Sequence, residues 1–246
     1  MQQPAEGESS LFEWKTALLE EEQPGEVAAC CAFAAEEELL LAGTTSGRLL
    51  TAHCPSLERH TCFPVDTTST TTSGVPLLEL RCAAEVGCLS LSRKQLCGHT
   101  TGGARRFRWQ PPSNTTPPTA ANNLLCFDFE GPQRVTRVLL GSESSQLLQV
   151  DLRRNKLLSK VDTEQPIGCV RSGGRLLACG GLRGSLTLRD YRTGFKPEST
   201  LSLYTGAVTA VDVKGDLVAT CGYSQRLGQL FVDPLVKVFA IRQSAR

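Results

Sequence analysis

A short apolar run that ends in glycine recurs five times along the chain, and this recurrence constrains the fold more than any other feature. The five glycines are Gly43, Gly98, Gly141, Gly180 and Gly222. After four of them, a small polar turn leads into a second run of alternating apolar and polar residues. Short runs of this kind, separated by glycine, serine and threonine, are typical of β-strands. The sequence therefore predicts an all-β fold built from a repeated unit.

The spacing of the glycines indicates which repeated fold this is. The intervals are 55, 43, 39 and 42 residues, and three of them fall near the roughly 40–45 residues of a WD-repeat blade. Asp151 and Asp190 lie where a Trp-Asp pair closes a regular WD repeat, so the motif is degenerate and each aspartate is expected to cap the next turn. We interpret the glycines as positions where the backbone turns tightly. The sequence predicts a WD-repeat-like β-propeller with about five recognisable blades.

Changes in composition along the chain suggest the domain limits. Residues 1–26 form a polar segment with a short helix candidate, since Ser10 and Glu13 have capping-box spacing. Residues 27–246 form the propeller, with two loop insertions at 61–74, which is rich in threonine, and 111–122, which is rich in proline. The predicted blades lie near 27–60, 75–110, 123–162, 167–201 and 208–246.

Composition excludes several classes of protein. The chain has 26 basic and 25 acidic side chains, a net charge of +1 and 40% hydrophobic residues, which argues against a basic nucleic-acid coat and against global disorder. No apolar run reaches the roughly 18 residues of a membrane span, and the polar start lacks the layout of a signal peptide. The eleven cysteines lie mostly in apolar runs and are expected to be reduced. We expect a soluble, cytoplasmic protein without a membrane partner.

The residues that carry chemistry in other proteins are poorly arranged here. His53, Cys54, His60 and Cys62 cluster and Cys97 lies near His99, but no Cys-x-x-Cys pair occurs. No Gly-x-Ser-x-Gly motif surrounds any serine, and the aspartates are dispersed at repeat ends. We therefore expect no catalytic residue, no metal, no cofactor and no small-molecule substrate.

One basic segment allows two interpretations. Arg105, Arg106, Arg108 and Trp109 alternate with Phe107, and arginines beside aromatic rings can pair with phosphates and stack on bases of RNA. The competing and favoured interpretation is a strand whose aromatic side chains fill a blade interface while its arginines face solvent. A second basic run, 153–156, is predicted to be a solvated turn.

Two stretches near the end of the chain resemble one family. Residues 181–193 end in Leu-Arg-Asp-Tyr-Arg-Thr, and residues 212–226 contain Ala-Thr-Cys-Gly-Tyr-Ser-Gln-Arg. Both resemble blades of the catalytic subunit of the poly(A)-nuclease deadenylation complex, and residues 233–242 are similar to the strand that follows. Ala240 departs from that pattern, which has an aspartate there. The resemblance covers 174–242 well, 124–162 moderately, and the earlier residues weakly.

The resemblance implies a fold and a role. The family's propeller has seven blades, so five blades imply an incomplete ring. In the family, a linker that binds a regulatory pseudokinase subunit and a magnesium-dependent exonuclease domain follow the propeller. The chain is thus expected to be a non-catalytic scaffold in mRNA poly(A) tail shortening and decay. By the same resemblance, its partner would be the pseudokinase subunit, with poly(A) messenger ribonucleoprotein reached indirectly, in the cytoplasm and P-bodies.

Two other readings of the sequence remain open. The chain could be an unrelated WD-repeat adaptor for protein interactions. It could also be a fragment of an active 3′-exonuclease whose catalytic domain lies beyond residue 246.

Overall fold

The computed structural model describes residues 26–34, 38–54, 59–65, 75–112, 123–131, 135–226, 229–233 and 236–241. Within these ranges the chain forms twenty β-strands and one 3-10 turn at Tyr191–Thr193. The strands make five antiparallel sheets, and in the first four the strands lie in consecutive chain order. The helix candidate near residues 10–22 lies outside the described residues.

The first three sheets are regular four-stranded meanders. The first sheet contains β1 (Ala28–Ala34), β2 (Leu39–Thr44), β3 (Arg48–His53) and β4 (Arg59–Pro64). The second contains β5 (Leu77–Ala83), β6 (Gly87–Ser92), β7 (Gln95–His99) and β8 (Arg105–Trp109). The third contains β9 (Leu124–Phe129), β10 (Arg137–Ser142), β11 (Gln146–Asp151) and β12 (Lys156–Asp162).

The fourth sheet is regular and the fifth is modified. The fourth sheet contains β13 (Ile167–Gly173), β14 (Leu176–Gly181), β15 (Ser185–Asp190) and β16 (Lys196–Ser202). The fifth contains β17 (Val208–Lys214), β18 (Leu217–Arg226), β19 (Gln229–Val232) and β20 (Lys237–Ala240). The first half of β18 lies between β17 and β20, and its second half pairs with β19 as a projecting hairpin.

The burial of each strand follows its place in the sheet. The strand β14, in the middle of the fourth sheet, is buried along its whole length, because both of its faces are covered by neighbouring sheets. The outermost strands β12 and β16 carry exposed residues along much of their length. This difference in burial explains why the inner strands are continuous apolar runs in the sequence and the outer strands are not.

Consecutive sheets stack face to face around the first strand of each sheet. β1 packs beside β5, β5 beside β9, β9 beside β13, and β13 beside β17. Each interface buries one apolar cluster, centred on Leu41, Phe127, Leu139 and Leu186 in turn. This is the radial stacking of blades in a β-propeller, as the sequence predicts.

The extensive contacts between described sheets run only from each sheet to the next, and none joins the first sheet to the fifth. The outer faces of these two sheets carry exposed apolar side chains. Phe33 on β1 and Val238 on β20 are each 60% exposed. The fold is therefore a WD-repeat-like propeller whose ring is incomplete.

Two details of the predicted layout need correction. The run that ends at Gly98 is not equivalent to the other four: it is β7, the third strand of its sheet, whereas the other four are second strands. This shift accounts for part of the long interval between Gly43 and Gly98. In addition, residues 61–64 belong to β4, so the first inserted segment begins after Pro64. Residues 66–74 and 113–122 of the predicted loops lie outside the described residues.

Candidate functional site

Three of the repeat glycines have the same surroundings. A Cβ added to Gly43, Gly141 or Gly180 would lie within 2.7 Å of a cysteine Sγ on the first strand of the same sheet. It would also meet the side chain that begins the first strand of the next sheet. The three triplets are Gly43 with Cys30 and Leu77, Gly141 with Cys126 and Ile167, and Gly180 with Cys169 and Val208. Each glycine thus allows one strand to approach two neighbours closely.

The other two repeat glycines make room for an aromatic ring. A Cβ on Gly98 would lie 2.1 Å from Phe107, and one on Gly222 would lie 2.6 Å from Tyr204. The prediction that the repeat glycines turn the backbone is wrong, because none of the five has a positive φ. The left-handed backbone occurs instead in the turns that follow, at Gly47 and Gly184 among others.

Asp151 and Asp190 lie at the ends of third strands. The Asp151 Oδ1 accepts hydrogen bonds from the backbone N–H groups of Arg153 and Arg154 at 2.9 and 3.0 Å. The Asp190 Oδ1 accepts from the Arg192 N–H at 2.7 Å, and its Oδ2 accepts from the Arg192 guanidinium at 2.7 Å. The hydrogen bonds and charge of Arg192 lower the pKa of Asp190. Both carboxylates therefore cap the turns that follow them.

Cysteine and histidine side chains are dispersed. All eleven cysteines are free thiols, and burial raises the pKa of Cys30, Cys169 and Cys179 to about 12. Thiols with such pKa values are poor nucleophiles at neutral pH. Among the described residues, no group of three or more His, Cys, Asp or Glu lies close enough to hold a metal ion. No described helix is long and apolar enough to cross a membrane.

The predicted RNA candidates lie on β8, the outermost strand of the second sheet. Trp109 is only 4% exposed and packs with Phe107 against the third sheet. Trp109 therefore offers no face on which a base could stack. Arg105 and Arg106 are exposed, whereas Arg108 is half-buried. Arg105 and Arg106 therefore remain accessible to phosphate groups.

A charged network that the sequence did not predict links the first strands of three sheets. The Glu79 Oε1 accepts from Arg81 at 2.9 Å and from Arg171 at 3.0 Å, while its Oε2 accepts the backbone N–H of Phe127 at 2.9 Å. The Asp128 Oδ2 accepts the backbone N–H of Ser172 at 2.7 Å. A carboxylate on one sheet thus binds an N–H of the next sheet at two successive interfaces.

The network also balances its charges. Arg81 Nε lies 3.4 Å from Asp128 Oδ1, so two carboxylates share two guanidinium groups. Burial raises the pKa of Asp128, although the charge of Arg81 opposes this. The signal in the sequence was a charged residue in the middle of otherwise apolar first strands, as in Leu78-Glu79-Leu80 and Phe127-Asp128-Phe129. With its charges paired, the network joins blades and resembles no hydrolytic centre.

Comparison with known proteins agrees with this geometry. Residues 19–245 match the family described as PAN2 N-terminal. The chain belongs to the PAN2 N-terminal family. It is 29% identical over 201 residues to the human PAN2-PAN3 deadenylation complex catalytic subunit PAN2, and this match covers 81% of the chain but 15% of that protein. The Schizosaccharomyces pombe subunit is 31% identical over 162 residues, covering 64% of the chain and 14% of that protein.

Solved structures share the fold of this PAN2 N-terminal chain. The Neurospora crassa Pan2 WD40 domain superposes with a TM-score of 0.73 at 19% identity, covering 87% of the chain and 62% of that domain. The structure of U3-55K superposes with a TM-score of 0.67 at 9% identity, covering 82% of the chain and 60% of U3-55K. The chain thus spans about 15% of the length of its curated PAN2 relatives, and the part it matches is their WD40 region.

Proposed function

We propose that this chain is a non-catalytic interaction propeller of a poly(A)-specific deadenylase subunit, and that it docks partner proteins during mRNA poly(A) tail shortening. The observation that carries the proposal is the match to the PAN2 N-terminal family over 19–245, on a chain folded as stacked WD-repeat blades. Relatives over this region are named catalytic subunits of the PAN2-PAN3 deadenylation complex.

The structure supports an interaction role over a catalytic one. Asp151 and Asp190 cap turns, while Glu79 and Asp128 are paired with arginine. A two-metal nuclease needs several carboxylates converging on one point, and the described residues hold no such group. Exonuclease activity would then belong to a part of the longer relatives outside these 246 residues.

The proposed partner is the PAN3-type subunit, the regulatory pseudokinase of the complex, with poly(A) messenger ribonucleoprotein reached through it. Loops and edges on a rigid scaffold are the usual binding surfaces of propellers. Action on mRNA in the cytoplasm, including P-bodies, follows from the same proposal.

Co-expression with the cognate PAN3 subunit tests the docking proposal. We expect the 246-residue chain and PAN3 to elute as one complex in size-exclusion chromatography with light scattering, held by the blades themselves and not by the linker that follows the propeller in the family. The chain alone should leave a labelled A30 RNA intact in the presence of Mg²⁺. Failure to form the complex would contradict the docking role. Magnesium-dependent shortening of the RNA by the purified chain would contradict the non-catalytic role.

A further inference from the structure

Two basic segments that are far apart in the sequence meet at the outer edge between the second and third sheets. The first is the start of β8, with Arg105 and Arg106. The second is the turn between β11 and β12, with Arg153 and Arg154, together with Lys156 at the start of β12. All five side chains belong to exposed residues. We call these five residues the basic edge.

Three contacts hold the segments together. The Asn155 side chain donates a hydrogen bond from Nδ2 to the backbone carbonyl oxygen of Arg108 at 3.0 Å, which ties the turn of the third sheet to β8. Glu85 is shared between the segments: Arg106 donates to its backbone oxygen at 3.3 Å, and the Arg153 Nη2 lies 3.6 Å from its Oε2. Arg106 and Arg153 are therefore neighbours in space, on different blades.

The charge of this edge is not balanced. The five cations outnumber the two carboxylates of these segments, Glu85 and Asp151. The Arg153 side chain is 75% exposed, so its pairing with Glu85 is weak in water. A chain with a net charge of only +1 thus concentrates positive charge at one place, which attracts polyanions.

We propose that the basic edge binds the phosphate backbone of single-stranded RNA without reading its bases. Four of the five cations are arginines, whose planar fork pairs with phosphate in a bidentate manner. A protein partner of standard affinity would need a buried apolar anchor, and the aromatic residues of β8 are packed inside the blade interface. The same burial of Trp109 removes base stacking, so contacts are to phosphate, which carries no sequence information.

This inference is independent of partner docking, since it concerns the isolated chain. The test is fluorescence anisotropy of labelled A20 and U20 RNA with the 246-residue chain at 50–200 mM KCl. We expect the two RNAs to bind within twofold of each other. The affinity should fall with salt, with a log–log slope of about 0.7 per phosphate neutralised.

Paired substitutions assign the binding to the basic edge. The Arg106→Ser/Arg153→Ser variant should bind at least about fivefold more weakly and lose about 1.4 from the slope, because two phosphate contacts are removed. The control Lys196→Ser/Lys214→Ser removes the same charge from exposed positions on the fourth and fifth sheets, and should bind within twofold of the unaltered chain. Equal melting temperatures would establish that all three proteins are folded.

Several results would overturn the proposal. It is wrong if neither RNA binds at 50 mM KCl, if A20 binds and U20 does not, or if the two double variants lose affinity equally. Displacement of the RNA by polyglutamate as effectively as by unlabelled RNA at equal charge would identify an acidic protein as the ligand instead.

Discussion

The Arg171 guanidinium, on the first strand of the fourth sheet, donates a hydrogen bond at 3.0 Å to the Glu79 carboxylate on the first strand of the second sheet. The third sheet lies between them in chain order, so this one contact spans three blades. Glu79 also binds the Phe127 N–H of the third sheet. The stack of blades is therefore joined at its centre by directional polar contacts as well as by apolar burial.

Substituting Glu79 should lower the stability of the chain more than substituting Arg171 or Arg137. Glu79→Ala leaves the Phe127 N–H without its acceptor and removes one partner from each of two guanidinium groups. We expect it to lower the free energy of unfolding by about 2–3 kcal/mol. Arg171→Ala should cost less. Arg137→Ala, which removes a more exposed pair 3.9 Å from Glu130, should cost under about 1 kcal/mol. Urea denaturation gives the order, and an equal loss in all three variants would contradict the central role of Glu79.

Gly180 and Cys169 form a close cross-strand pair that can be tested by compensation. In Gly180→Ala the new Cβ would lie 2.4 Å from the Cys169 Sγ and 2.8 Å from a methyl group of Val208, so we expect a loss of about 1–3 kcal/mol. Adding Cys169→Ala removes the nearest clash and should restore part of that loss. A double-mutant cycle in urea measures the coupling. Strictly additive effects of the two substitutions would contradict the proposed contact.

His99 should make stability depend on pH. It is 2% exposed, and its Nδ1 has no hydrogen-bond partner among the described residues. Burial and the charge of Arg105 lower the pKa of His99 to about 4, below the value near 6.5 of an unfolded chain. The stabilisation that neutral His99 contributes is fully present above pH 6.5. It is lost as the pH falls from 6.5 towards 4, because the unfolded chain takes up a proton on His99 before the folded chain does.

The variant His99→Gln tests this, since glutamine does not titrate. Its urea midpoint should fall less between pH 7.5 and pH 5 than that of the unaltered chain. His53→Gln serves as the control, since His53 is exposed, and it should retain the full decrease. If His99→Gln lost as much stability over this range as the unaltered chain, the pH dependence would come from other groups.

The outer faces of the first and fifth sheets should make the isolated chain self-associate. Phe33 and Val238 stand exposed on sheet faces that resemble the covered ones, and such faces pair readily with another chain. We expect concentration-dependent association in analytical ultracentrifugation, weakened about tenfold or more in Phe33→Ser/Val238→Ser. Leu158→Ser, on an outermost strand, should have little effect. A chain that stays monomeric over the micromolar range would contradict this.

Much of the fold was predictable because the repeat is encoded by residues that lie close together in the chain. Runs such as Leu176 to Gly180 and the aspartates at 151 and 190 depend on residues close in the chain. The second sheet departs from this pattern because Leu91 occupies, in β6, the place that glycine has in β2. With no glycine in that strand, the sequence pattern indicates the next run, which ends at Gly98, in its place.

The candidate sites were less predictable because they depend on contacts between blades. The basic edge joins Arg106 to Arg153 through Glu85, and the central network joins Glu79 to Arg171. Neither pairing can be recognised from the spacing of these residues in the sequence. Similarly, the sequence placed Trp109 beside arginines, but its burial depends on the third sheet packing against β8.

The sequence by itself determined the repeated blade, its strand order within most sheets and the membership of the chain in a WD-repeat family. These depend on alternation, turn residues and short-range caps. Only the tertiary structure decided what the glycines do, which charges pair and where positive charge collects. Those outcomes depend on how neighbouring sheets pack, and packing brings together atoms whose separation along the chain carries no information about their distance in space.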